Sequence, residues 1–311
     1  MRIKNATSIV VATLALLAAG CFASAEQPDV KPQLVKDVYP RLTTDMMMEA
    51  RLASLPAGVL LQAGSVKITA KDLDSEIAKM PESVRSQLLK NLFFILENRA
   101  TRDLLTAEAS AWAKEKNQKL PAEASDLLKP YFDSLTANVS ASDAELKDFY
   151  DKNKDMMSGA TFVQVKDELK QYVLEQKRQE AVDTHIASTG KRTPIDVDKA
   201  WVEKQYAPAM DNPVDKVRLS GKPSLVDFGA DGCGPCDMMT PVLESLKKEY
   251  EGKVNVLFVH VRNEQILAAR YGIQSIPVQV FFDKDGKEVF RHVGFFPKEQ
   301  IVSKLTELGV K

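Results

Sequence analysis

The chain has 311 residues, enough for two domains of about 100–200 residues each. Hydrophobic residues make up 44% and charged residues 27%, which excludes both a disordered chain and a polytopic membrane protein. Lys plus Arg number 42 against 43 Asp plus Glu, so no basic excess exists to hold a nucleic-acid backbone, and 3 cysteines cannot staple a disulfide scaffold.

Arg2 and Lys4 precede an uncharged, mostly apolar run from Ile9 to Ala19. That run is shorter than the roughly 20 residues a bilayer span needs, so residues 1–25 are predicted to be an export signal. Two processing sites stand open. Leu17-Ala18-Ala19-Gly20-Cys21 resembles a lipobox, with a signal over 1–20 and Cys21 as a lipidated anchor; Ala23-Ser24-Ala25 is an A-x-A site for the ordinary signal peptidase. The expected location is periplasmic or otherwise extracytoplasmic, membrane-anchored if Cys21 is lipidated. In both cases Cys233 and Cys236 are the thiols left over.

Residues 26–56, with Pro28, Pro32, Pro40 and Pro56, read as a lead-in, and Met46-Met47-Met48 within it as a short amphipathic helix docked on the next domain. Residues 57–207 read as a helical domain. Val59 to Ile68 predicts a small hairpin turning at Gly64-Ser65, and Thr69 caps a helix from Ala70 to Met80. Pro81 then opens a long helix over 81–116, with Val84, Leu88, Leu92 and Ile95 on one face. Pro121 starts another helix, and Ser142-Asp143-Ala144-Glu145 is a capping box for the next. The last runs from Thr161 to about Ser188, with Val165, Leu169 and Tyr172 as its inner stripe. Phe93, Phe94 and Trp112 read as core, and Asp196-Val197-Asp198 as a cap or linker.

Composition changes across a linker at 208–215. From 216 to 311 the order is β-α-β-α-β-β-α, with Leu225–Phe228 and Val254–Val259 as buried parallel strands. Val278–Phe282 and Glu288–Arg291 flank an Asp283-Lys284-Asp285-Gly286 turn.

Cys233-Gly234-Pro235-Cys236 is the sharpest chemical signal. It falls at a strand-to-helix junction, where unpaired N–H groups and the helix dipole stabilise a thiolate at Cys233. Pro235 suits a first helical turn, and Cys236, one turn on, can attack a mixed disulfide and release its partner. A zinc site would need a second ligand pair, and His185, His260 and His292 are not at ligand spacing, so no metal is expected. These histidines receive structural readings.

With Asp227-Phe228-Gly229-Ala230 before the cysteines and Tyr271-Gly272-Ile273-Gln274-Ser275-Ile276-Pro277 after them, residues 216–311 resemble thioredoxin. The resemblance implies a cis Pro277 against the cysteine pair and Ile276 backbone groups that dock a substrate strand beside Gly234 and Pro235. It also implies a buried Asp227 that moves the Cys236 proton. Three departures stand out: Gly232 where a tryptophan is usual, Phe258 where a lysine often faces the acid, and Arg262 where an acid is common. Without the lysine, Asp227 is expected to lack a partner and to titrate high.

Residues 57–198 are similar to the N-terminal domain of SurA-type periplasmic chaperones, through the Ala63–Thr69 hairpin, the helix over 81–116 and the Ser142–Tyr150 segment. About ten residues separate Tyr150 from the last helix, too few for the isomerase module of that family. The likeness implies polypeptide binding without prolyl isomerisation; a helical spacer or dimerisation module is the alternative. The fold expected is thus an all-α N-terminal domain with a small hairpin, joined to an α/β thioredoxin-fold domain.

Together these imply an exported thiol–disulfide oxidoreductase, a disulfide reductase of exported proteins with a helical client-binding domain. Its reactive group is the dithiol, with no dissociable cofactor. Disulfide-containing or unfolded exported proteins are the expected partners, and a DsbD/CcdA-type membrane protein the electron donor. Alternatives are an oxidase or isomerase using the same dithiol, or a non-catalytic holdase.

Overall fold

The computed structural model describes residues 31–311 apart from 44, 45, 120 and 158. The signal at 1–25 and its variant at 1–20, including Cys21, lie outside the described residues. Gln33–Lys311 forms one compact unit.

The N-terminal half is built from short helix α1 (Val35–Val38), strands β1 (Arg51–Ala53), β2 (Val59–Ala63) and β3 (Val66–Thr69), and then helices. These helices are α2 (Ala70–Ala78), α3 (Glu82–Lys90), α4 (Leu92–Glu115), α5 (Leu128–Leu135), α6 (Asp143–Lys152) and α7 (Phe162–Arg192). Strand β4 (Asp196–Asp198) and α8 (Lys199–Met210) close it. Start signals written in the sequence act as read. Thr69, Ser142 and Thr161 each form a reciprocal capping box with the residue three positions on. The hairpin forms as β2–β3, but it belongs to a four-stranded sheet of order β1-β4-β2-β3. Arg51 and Asp196 face each other across β1 and β4 and join in a bidentate pair at 2.7 and 2.8 Å. Three-residue strands carry no readable alternation, which hid them from the sequence.

Other expectations need correction. The helix read over 81–116 breaks at Asn91, whose side-chain amide donates to the Gln87 carbonyl at 2.8 Å and closes α3. An apolar period survives such a break because it reports burial, not continuity. The helix placed at Pro121 begins later, with a 3₁₀ turn at Ala124–Leu127 ahead of α5. On α7 the inner stripe runs through Leu169 and Val173, while Tyr172 is half exposed. Met46 and Met47 are fully buried in a 3₁₀ turn at Met46–Glu49. Gly190 of α7 makes room for that turn, since a Cβ there would lie 2.1 Å from the Met46 carbonyl oxygen.

The segment read as a linker at 208–215 is largely helical: Pro208 lies in α8, and Pro213 opens α9 (Pro213–Arg218), capped by Asn212. The C-terminal half continues with β5 (Ser224–Gly229), α10 (Gly234–Glu249), β6 (Asn255–His260) and α11 (Gln265–Arg270). It ends in β7 (Val278–Phe282), β8 (Glu288–Val293) and α12 (Lys298–Glu307). The sheet order is β6-β5-β7-β8, with β5 and β6 parallel and the other pairs antiparallel. One face packs Leu225 and Phe281 against Met239, Leu243, Ile301 and Leu305 of α10 and α12. The other packs Val226, Phe228 and Val280 against Val214 of α9 and Leu267 of α11. Every β5 residue is buried, as expected for a central strand covered on both faces.

The halves meet at α11. The Gln87 side chain donates to the Asn263 carbonyl at 2.7 Å and accepts from the Ile266 N–H at 3.2 Å. It thereby satisfies one of the unpaired N–H groups of α11. Arg270 donates to the carbonyls of Ala209 and Arg41, at 2.7 and 2.9 Å.

Candidate active site

Strand β5 ends at Gly229, and a turn through Gly232, at φ +73°, delivers the chain to α10. Glycine alone adopts that backbone without strain, so the absence of an aromatic residue at 232 has a local geometric reason. Cys233 is the N-cap of α10 and Pro235 lies in its first turn. The two cysteines are joined as a disulfide. The Cys236 N–H points at Cys233 Sγ, 3.3 Å away, so the helix start offers the outer sulfur a donor as well as its dipole. Cys233 is half-buried and Cys236 buried, so the first sulfur is the more accessible of the two.

The Ile276–Pro277 peptide bond is cis. The Ile276 carbonyl oxygen lies 3.8 Å from Cys233 Sγ, so the backbone of that turn borders the outer sulfur. Gly234 and Pro235 are exposed beside it, Ile276 is half-buried and Pro277 buried. The sequence-predicted residues Cys233, Gly234, Pro235, Cys236, Ile276 and Pro277 therefore share one surface.

Asp227 lies beneath that surface, fully buried on β5. Two residues on, the face of β5 touches the disulfide: a Cβ built on Gly229 would be 3.5 Å from Cys236 Sγ and 2.9 Å from the Phe258 ring. Phe258 stands directly across from Asp227 on β6, at the place expected for a missing lysine. The expectation that the acid has no partner is corrected, however. Gln279, opposite Asp227 on β7, donates from Nε2 to Asp227 Oδ1 at 2.6 Å. Burial raises the Asp227 pKa from its ordinary 3.8 to about 6, against the lowering effect of this hydrogen bond. Gln279 was invisible to sequence reading because it lies 52 positions away and meets Asp227 only through strand register.

His260, given a purely structural reading, sits at the end of β6 with Nε2 3.1 Å from Asp231 Oδ2, beside the cysteine turn. Among the described residues, no group of three or more His, Cys, Asp or Glu could hold a metal ion. A cleft of about 360 Å³, lined by Gln87, Lys90, Asn91, Asp211, Lys216 and Glu264, lies at the junction of the halves and includes none of the dithiol residues.

A half-buried and a buried cysteine joined at a helix start, a cis peptide bond whose Ile276 carbonyl borders the outer sulfur, and a buried acid two residues before Gly229 on β5 define a thiol–disulfide exchange centre. Residues 208–307 match the thioredoxin family model. Thioredoxins of Staphylococcus aureus strains COL and MW2 are each 48% identical over 81 residues, covering 26% of this chain and 77% of theirs. A mutant thioredoxin from Halobacterium salinarum NRC-1 is similar at 33% identity, covering 30% of this chain and 81% of that one, with a TM-score of 0.29. The chain belongs to the thioredoxin family through its C-terminal third. That third is a thioredoxin-fold domain of the thiol–disulfide oxidoreductase class, behind a helix-rich N-terminal half.

Proposed function

We propose that the protein is an exported disulfide reductase whose helical half binds unfolded exported clients. The observation that supports this best is the placement of Cys233 and Cys236 at the start of α10, with the carbonyl oxygen of the cis Ile276–Pro277 turn 3.8 Å from Cys233 Sγ and Cys236 packed on Gly229, two residues after the buried Asp227. In the reduced protein, the Cys233 thiolate attacks one sulfur of a client disulfide, and the other client sulfur leaves with the bonding pair and takes a proton. Cys236 then loses its proton to Asp227, and its thiolate attacks Cys233 Sγ. The Cys233–client bond breaks, the second client thiol is released, and the Cys233–Cys236 disulfide remains. Two electrons pass from protein dithiol to client, and a DsbD/CcdA-type membrane donor would restore them. The client strand docks along the Ile276 backbone beside Gly234 and Pro235.

The SurA-like reading of the helical half rests on the Ala63–Thr69 hairpin, the apolar stripe over 81–116 and the Ser142–Tyr150 segment. Holding a client there raises its effective concentration at the dithiol. Export, the periplasmic or extracytoplasmic setting and the Cys21 anchor rest on the leader pattern.

The deciding experiment is the reduction potential of the Cys233–Cys236 pair, equilibrated against a dithiol buffer. A value near the roughly −270 mV typical of thioredoxin is expected; one near the roughly −120 mV of a strong oxidant would overturn the reductase direction in favour of disulfide formation. Cys233→Ser is expected to abolish turnover of disulfide clients. Undiminished biological activity in that variant would sink the catalytic reading and leave a holdase.

A further inference from the structure

Asp227 does not sit alone in its row of the sheet. Register places Phe258, Asp227, Gln279 and His292 side by side across β6, β5, β7 and β8. All four lie on the face covered by α10 and α12. Gln279 is as fully buried as Asp227. Its carboxamide donates to Asp227 Oδ1 at 2.6 Å, a short, charge-assisted bond when the acid is ionised. Two buried oxygens of this pair, Asp227 Oδ2 and Gln279 Oε1, have no hydrogen-bond partner among the described residues. A buried oxygen without a donor is costly, and both would be served by a proton on the acid.

Among the described residues, no cation answers the carboxylate from the elements packed around it. On β6 stands the Phe258 ring, and α10 brings the sulfur of Cys236 against Gly229, two residues further along the same face of β5. His292 of β8 is stacked on Phe296 at 4.2 Å with Nε2 3.1 Å from the Phe295 carbonyl oxygen, and burial lowers its pKa, so it is neutral near pH 7. His260, at the end of β6, faces Asp231. Gln279 is therefore the polar partner of a carboxyl that must change charge in place.

We propose that Gln279 is the positioning residue of the Asp227 carboxyl, holding it in both protonation states so that it can accept and return the Cys236 proton without a charged partner. Its N–H donates to the carboxylate. Its carbonyl oxygen can accept from the protonated acid, since a carboxamide carries both a donor and an acceptor. A lysine ammonium has donors but no acceptor, so it could not take the hydrogen bond of the protonated acid. The inference rests on the reading of Asp227 as the proton acceptor of Cys236: that proton moves to the carboxylate as the Cys236 electron pair attacks Cys233 Sγ, and the departing client sulfur takes the pair of the broken bond.

The test is a carboxyl titration followed by ¹³C NMR, in the full chain and in Gln279→Leu. Loss of the amide is expected to raise the Asp227 midpoint by about one to two pH units, the worth of one hydrogen bond to a charge. The pH at which resolution of a mixed disulfide accelerates should rise with it, slowing the step roughly two- to tenfold at pH 7. An Asp227 midpoint unchanged in the variant would overturn the proposal, and so would a moved midpoint with an unmoved rate profile. A second readout needs no variant at position 279. The side-chain ¹⁵N–¹H signals of Gln279 should shift with the Asp227 midpoint and lose that shift in Asp227→Asn; signals indifferent to it would also overturn the proposal. Failure of the reductase reading looks different: the unaltered protein would not reduce disulfides, while the carboxyl would still titrate.

Discussion

The C-terminal half buries two aspartates on opposite sides of one sheet, and their surroundings could hardly differ more. Asp215, near the junction with the helical half, is fully buried and meets Arg218 and Arg270, each at 3.0 Å. The Tyr271 hydroxyl adds a donor at 2.9 Å and the Asn212 amide another at 2.6 Å. Arg270 in turn donates to the carbonyls of Ala209 and Arg41, so this acid anchors a network that ties the halves together. Asp227, equally buried, has one amide and, among the described residues, one oxygen without a partner. Asp215 is compensated as a structural anchor would be, whereas burial with so little compensation raises the pKa of Asp227 to about 6.

Asp215→Ala would break the comparison most violently. It leaves two guanidinium groups in the interior without their carboxylate, a change that typically costs about 3–5 kcal/mol. Denaturant unfolding should register a loss of that order, and a loss below about 1 kcal/mol would mean that the network is dispensable.

Asp227→Asn should act in the opposite direction. The folded-state pKa of about 6 lies above the ordinary 3.8, so folding favours the protonated acid. This group's contribution is therefore fully present below about pH 4, is lost as pH rises towards 6, and stays absent above. The difference is on the order of 3 kcal/mol. Removing the charge should raise stability by up to that amount at pH 7 and leave it unchanged near pH 4, while the Cys236 step slows. A variant less stable at pH 7 would contradict the raised pKa.

In the unaltered protein, resolution of a mixed disulfide by Cys236 should slow as pH falls through about 6, where Asp227 takes up its proton. A stopped-flow pH series checks this, and a profile set only by the thiols would remove Asp227 from the reaction. The smallest effect is expected at the junction. Gln87→Ala takes one cap from α11 and one donor from Asn263, about 1 kcal/mol in all, seen as faster amide exchange in α11. Unchanged exchange there would mean that the halves meet without bracing each other.

Much of the molecule was legible because its signals are local. A capping box needs only four residues, a hairpin turn two, and a dithiol on a helix start a single turn. The strand register pairs Phe258 with Asp227, the residue that the sequence set against the acid. Longer reach defeated the reading. Asn91 interrupts an apolar stripe that continues on both sides, and Tyr172 faces outward because one step of about 100° moves a side chain from the inner face to the rim. Arg51 and Asp196, 145 positions apart, meet only because α7 returns the chain to its start.

The sequence alone determined the two kinds of domain, the helix starts and the reactive cysteine pair, since each depends on residues within a few positions of one another. Only the tertiary structure decided what the buried acid feels. Gln279 reaches Asp227 by strand register, Phe258 covers its other side, and burial between α10 and the sheet sets its pKa, because desolvation and hydrogen bonding act through space rather than along the chain.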